Sequence, residues 1–155
     1  MHHTCVTSRA ILVPYDGTGR AELALEAAIV RCRESRARLG LSMTAPWFAT
    51  VGAPWLSIPA LLTPDLESAK RVLGRIPDDV LVRFLLWPYP AGGREIAQFA
   101  RRLDCDSVLL PFRGSRARHI KRTLSRRGLQ ILEAGPAAPP TVAPLHGATA
   151  AAATS

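Results

Sequence analysis

The sequence predicts an α/β fold: a single-domain, three-layer sandwich built on a five-stranded, mostly parallel sheet with helices on both faces. Short apolar runs of strand length recur along the chain, and stretches with helical periodicity separate most of them. Such alternation implies parallel pairing, with right-handed crossovers laying the helices over the sheet. With 155 residues, nearly half of them hydrophobic, the chain is long enough for one domain with a substantial core.

Residues 1–9 read as an N-terminal extension. Ala10 to Tyr15 (AILVPY), bounded by Asp16-Gly17, is a first buried strand. Thr18 is placed to cap a helix running to about Arg38, with Leu23, Ala27 and Val30 on one stripe and Ala24, Leu25 and Ala28 widening it. Arg31, Arg33, Arg36 and Arg38 crowd its last turns, where cations oppose the negative end of the helix dipole. Leu39 to Ala45 is a second, weaker strand.

From Leu39 to Pro64 the chain carries no charge, a length sufficient for a membrane span. Four prolines interrupt it (Pro46, Pro54, Pro59, Pro64), and each interior proline costs a helix about 3 kcal/mol. A strand followed by an apolar loop fits better, with Trp47, Phe48 and Trp55 packing over the chain's own core. Thr63-Pro64-Asp65 opens a second helix that ends near Gly74. Val80 to Trp87 is the third strand. Gly92-Gly93 leads into a helix in which Ile96, Phe99, Ala100 and Leu103 share a face. Val108 to Leu110 is the fourth strand, followed by a helix from about Leu124 to Ala134. Thr141 to Leu145 is the last strand, held to an edge or bulge by Pro144. The domain thus covers residues 10–145, and residues 146–155 form a disordered Ala/Thr tail.

The turn after the fourth strand is the most distinctive stretch. Arg113, Arg116, Arg118, Lys121, Arg122, Arg126 and Arg127 lie between positions 107 and 132, where there is no Asp or Glu, and account for most of the formal net charge of +8. A strand, a glycine turn and a basic helix start form a common anion site, because backbone N–H groups and the dipole both face outward there. The bland alternative is a solvated basic loop. In open parallel sheets ligands bind beyond the carboxyl ends of the strands, where strand order reverses. If the first and fourth strands are neighbours, Asp16 and the Gly114 turn share one crevice.

Four features in this order resemble the universal stress protein family across Ala10 to Leu145: ILVPYDGT at the opening strand, ALEAAIVRCRESRARLGL in the first helix and second strand, REIAQFARRLDCDSVLLP before the fourth turn, and the basic loop itself. The resemblance implies the sheet order 3-2-1-4-5 and a cleft for ATP or another adenine nucleotide. It further implies that Asp16, beside Pro14 and Tyr15, contacts the adenosine part, and that Thr44 (or Met43) borders the base. Arg113, Gly114, Ser115, Arg116 and Ser125 would then lie on the ribose and phosphates. Placed on the family motif G-x-x-G-x9-G-[ST], this chain has Pro111, Gly114, Leu124 and Ser125. Pro111 offers no N–H, and Leu124 puts a bulky side chain where close backbone approach is expected. Arg113, Arg116 and Lys121 can offset these losses by charge pairing, so retention and loss of the nucleotide both stay open. A homodimer, often formed through the last strand, is also implied.

Other chemistries find little support. No G-x-S-x-G elbow is present, and DGTGRA lacks the third glycine of a dinucleotide fingerprint. His2, His3, His119 and His146 show no metal-ligand spacing. The expectation is a protein that is not an enzyme in the usual sense, slow ATP hydrolysis aside, with no metal. Cys5, Cys32 and Cys105 form neither a disulfide framework nor a CxxC pair, and MHHTCVTSR has no apolar signal core; both point to a reducing cytoplasm. Three classes of function follow: a nucleotide-binding regulator, a relative that has lost the nucleotide and acts by dimerisation, and a basic nucleic-acid module. The third is the weakest, since no aromatic residue beyond Phe112 interleaves the basic run.

Overall fold

The structure, a computed structural model, describes residues 8–45 and 66–133. In chain order it contains β1 (Ala10–Tyr15), α1 (Gly19–Ser35), β2 (Arg38–Met43), α2 (Leu66–Gly74), β3 (Val82–Leu86), α3 (Gly93–Arg102), β4 (Ser107–Leu109), α4 (Gly114–Arg126) and β5 (Gln130–Leu132). The strands form one parallel sheet in the order β3-β2-β1-β4-β5, so the expected fold class and strand order are both found.

β1 is central because its residues are apolar on both faces, as a strand covered on each side requires. The alternation of a strand then sorts them. Ile11, Val13 and Tyr15 pack with Ala24, Leu25 and Ala28 of α1 and Ala69 and Val72 of α2. Ala10 and Leu12 pack with Ile96 and Phe99 of α3 and Ile120 and Leu124 of α4. Two cores separated by the sheet give three layers.

The β1–β4 ladder is short: only Ile11 and Leu12 pair, with Ser107 and Val108. Ala10 O accepts from the Asp106 N–H at 3.2 Å and Tyr15 O from the Thr44 N–H at 2.8 Å, so alternate peptide groups turn toward β4 and toward β2. Pro14 falls on the β4 side and has no N–H to extend that ladder. The sheet therefore opens between the carboxyl ends of β1 and β4, at the point where strand order reverses.

Two elements differ from the sequence expectation. The basic segment is itself a helix, α4, and begins at Gly114 rather than near Leu124. Its buried stripe, Ala117, Ile120 and Leu124, has helical spacing, but the surrounding charge conceals it. The fifth strand is Gln130–Leu132, inside the stretch expected to be helical to Ala134. It follows Gly128, whose φ of +77° turns the chain out of α4. The strand expected at Thr141–Leu145, the tail after it, the Trp47–Trp55 loop and the Thr63-Pro64-Asp65 helix start lie outside the described residues.

Gly40 of β2 is required by a close approach: a Cβ there would lie 2.5 Å from Cys105 Sγ. Gly40→Ala is expected to cost about 1–3 kcal/mol by overpacking. Adding Cys105→Ala should recover most of that loss, so urea unfolding of the two single variants and the double should be clearly non-additive. Additive losses would contradict the close approach.

Candidate functional site

A cleft of about 700 Å³ lies beyond the carboxyl ends of β1 and β4, within the size range of small-molecule sites. The β1–α1 connection lines it with Asp16, Thr18, Gly19, Arg20 and Leu23, and the β4–α4 connection with Pro111, Phe112, Arg113 and Arg116.

Each wall is set by a local turn. Gly17, at φ +78°, reverses the chain after β1. One Asp16 carboxylate oxygen accepts from the Thr18 N–H at 3.1 Å and from its hydroxyl at 2.6 Å. The same hydroxyl accepts from the Ala21 N–H at 3.3 Å and so caps α1. On the other wall Gly114, at φ +79°, starts α4, and no side chain caps that helix. The start of α4 thus lies beside the cleft without a side-chain cap of its own.

Arg116 is held in place by the protein. Its guanidinium stacks 4.1 Å from the Phe112 ring centre, and Nη2 donates to Ala91 O at 3.3 Å. Burial pulls its pKa down, while the Asp16 carboxylate acts the other way. Arg113 is exposed at the start of α4, and Arg20 is exposed in the first turn of α1. Three guanidinium groups and the positive ends of two helices thus face one carboxylate that is already engaged by Thr18. The electrostatic balance favours an anion.

The structure brings Asp16, Arg113 and Arg116 together at this cleft, with Gly114 and Ser115 opening the adjoining helix. Pro14, Tyr15, Thr44 and Ser125 are not among its lining residues. Pro14 and Thr44 are buried in and beside the sheet. Tyr15 shares strand parity with Ile11 and Val13 and points to the α1–α2 layer, where its hydroxyl donates to Glu22 Oε1. Arg75 donates to the same Glu22 oxygen at 2.8 Å and to the Tyr15 hydroxyl at 3.4 Å. Ser125 is exposed in the last turn of α4, about 16 Å along the axis from Gly114. Leu124 is fully buried between α4 and the sheet, so it packs the core instead of obstructing a ligand. A Gly-Ser pair does open the helix, but it is Gly114-Ser115. Arg20 and Leu23 join the site without having been expected there; Leu23, expected on the apolar stripe of α1, is exposed instead.

Solved structures share this architecture. A universal stress protein family member from Burkholderia pseudomallei superposes with a TM-score of 0.54 at 18% identity, covering 83% of this chain and 96% of that one. The universal stress protein from Archaeoglobus fulgidus gives 0.51 at 16% identity, covering 80% and 91%. One from Lactobacillus plantarum gives 0.51 at 16%, covering 80% and 95%. The chain has the universal stress protein fold. Its sequence matches no family model and no curated protein. Within the universal stress protein fold, the cleft at β1 and β4 falls at the topological switch point. Among the described residues no His/Cys/Asp/Glu group is placed to hold a metal, and no helix is long and apolar enough to cross a membrane.

The Tyr15–Glu22–Arg75 cluster gives a pH signature. The hydrogen bond from Arg75 is the main cause that holds the Glu22 carboxyl below its ordinary 4.5. A depressed carboxylate pKa stabilises the fold above the unfolded value and loses that contribution as pH falls through the folded one. The stability advantage of wild type over Glu22→Gln should be constant above about pH 5.5 and shrink progressively below pH 4.5 in thermal unfolding. An advantage that grows on acidification would contradict the cluster.

Proposed function

We propose that this protein is a universal stress protein-like regulatory protein that holds ATP or a similar adenine nucleotide in the β1–β4 cleft. The observation that carries this reading is the convergence of the α1 and α4 N-termini with Arg20, Arg113 and Arg116 on one opening. Polyphosphate suits that field, and the first-turn amides of α4 supply directed donors. The apolar surfaces of Leu23 and Phe112 offer contact for a base or ribose. Asp16, the only carboxylate among the described lining residues, is committed to the turn and helix cap, which fits binding without turnover. We place the protein in the cytoplasm, where the buried thiols of Cys32 and Cys105, pushed up to about 11 and about 12 by burial, stay reduced and unreactive.

A second reading has one observation in its favour. β3 is an edge strand, and Leu81, Phe84, Leu86 and Tyr89 on and beside it are exposed. An apolar sheet edge supports self-association, with a homodimer as the functional unit whether or not a nucleotide is bound.

Native mass spectrometry of the purified protein reads both the bound nucleotide and the subunit count. Wild type is expected to retain an adenine nucleotide. Arg113→Gln, at an exposed position, should weaken ATP binding about ten- to a hundredfold, the worth of one charge-assisted hydrogen bond. A nucleotide-free dimer that takes up no added ATP would favour the second reading instead.

A further inference from the structure

The cleft uses only part of the protein's positive charge. α4 contains no acidic residue, and Arg118, Arg122 and Arg126 lie on its exposed side at positions i, i+4 and i+8. Successive members of such a row are separated by about 6 Å along the helix. α3 packs beside α4 on the same sheet face, so closely that a Cβ on Gly93 would lie 2.9 Å from Thr123 Cβ. α3 adds Arg94, Arg101 and Arg102, all exposed. Nearby acids already have partners. Glu95 Oε2 accepts from the Gly92 N–H at 3.0 Å, Glu133 pairs with Lys121 at 2.8 Å, and Asp104 pairs with Arg38 at 3.2 Å. Two adjacent helices thus present six arginines, and the one carboxylate they contain, Glu95, is turned back to its own helix start.

We propose that this outer surface of α3 and α4 is a docking face for the phosphodiester backbone of duplex nucleic acid. The choice of occupant follows from what the face contains. Guanidinium groups bind phosphate oxygens bidentately and are only weakly hydrated, and all six cations are arginine. The exposed residues of the two helices include no aromatic side chain of the kind on which unpaired bases stack best, His119 aside, which disfavours single strands. They include no large apolar side chain either, so the face has nothing to insert into a bilayer. Gln98, Ser125 and His119 supply further polar contacts, again suited to a backbone. The sequence alone does not favour a nucleic-acid partner, because the basic run lacks interleaved aromatic residues; the fold sets a second basic helix beside it, and a duplex backbone needs no aromatic platform. The binding would be independent of sequence, and separate from the cleft.

Fluorescence anisotropy of the full chain with DNA and RNA duplexes of unrelated sequence, over a salt series, tests this. Single-stranded oligonucleotides of the same length and phosphatidylserine vesicles serve as the other arms. Duplexes of either sugar should bind at low salt regardless of sequence and more tightly than single strands. The triple variant Arg118→Gln, Arg122→Gln, Arg126→Gln should bind at least about tenfold more weakly. Its slope of log K against log salt should fall by about 2.7, at about 0.9 for each phosphate that is no longer neutralised. The α3 set, Arg94→Gln, Arg101→Gln, Arg102→Gln, gives an independent second measurement. Replacing the α4 set by lysine should retain most of the slope. Failure of duplexes to bind at low salt, binding untouched by both triple variants, tighter binding of single strands, or retention on vesicles alone would each overturn the proposal. ATP binding measured on the same variants should be unchanged, which separates this face from the cleft.

Discussion

The sheet cannot close between β1 and β4 beyond Leu12, and the candidate site depends on that fact. Pro14 turns toward β4 without an N–H, so the ladder that joins the two halves of the sheet stops early. The strand order reverses at the same place. β1 can tolerate this because it is otherwise secured: it pairs along its whole length with β2, and its side chains fill both cores. The opening is thus made beside a strand buried along its whole length, where the surroundings hold its shape.

The walls of the opening inherit their charge from chain direction. A parallel strand must hand over to a helix at its carboxyl end, and each such helix begins with unpaired N–H groups. α1 is capped by Thr18, with Asp16 steadying the cap. α4 has no side-chain cap and no acid in its first turn. The asymmetry leaves α4 as the wall with donors to offer, and Arg116, stacked on Phe112 beside Ala91, places a fixed cation next to them. Ordering that guanidinium within the protein lowers the entropy a ligand must give up to use it.

Much of this is legible in the residues themselves. AILVPY followed by Asp-Gly identifies β1 and its turn because a strand buried on both faces reads as an unbroken apolar run. α3 is visible through its apolar spacing, whereas in α1 the buried face is Ala21, Ala24, Leu25, Ala28 and Cys32, and Leu23 and Val30 of the expected stripe are exposed. α4 and β5 are not visible. In α4 the buried stripe comprises three residues set among seven basic ones between Arg113 and Arg127, so charge masks the period. β5 is three half-buried residues, too few to show alternation. Without α4, the motif falls too far along the chain and puts Leu124 and Ser125 at the ligand, when the one is core and the other solvated. Tyr15 misleads for a simpler reason. Strand alternation already groups it with Ile11 and Val13, and only its proximity to Asp16 in sequence suggests the cleft.

In the proposed site the first turns of α1 and α4 act together as one anion-binding mouth. Titrating uniformly 15N-labelled protein with ATP and following backbone amide shifts tests it most directly. The largest saturable shifts are expected on Gly19 and Arg20 together with Gly114, Ser115 and Arg116. Saturable shifts confined to other elements, or to one of the two helix starts with the other unmoved, would contradict it.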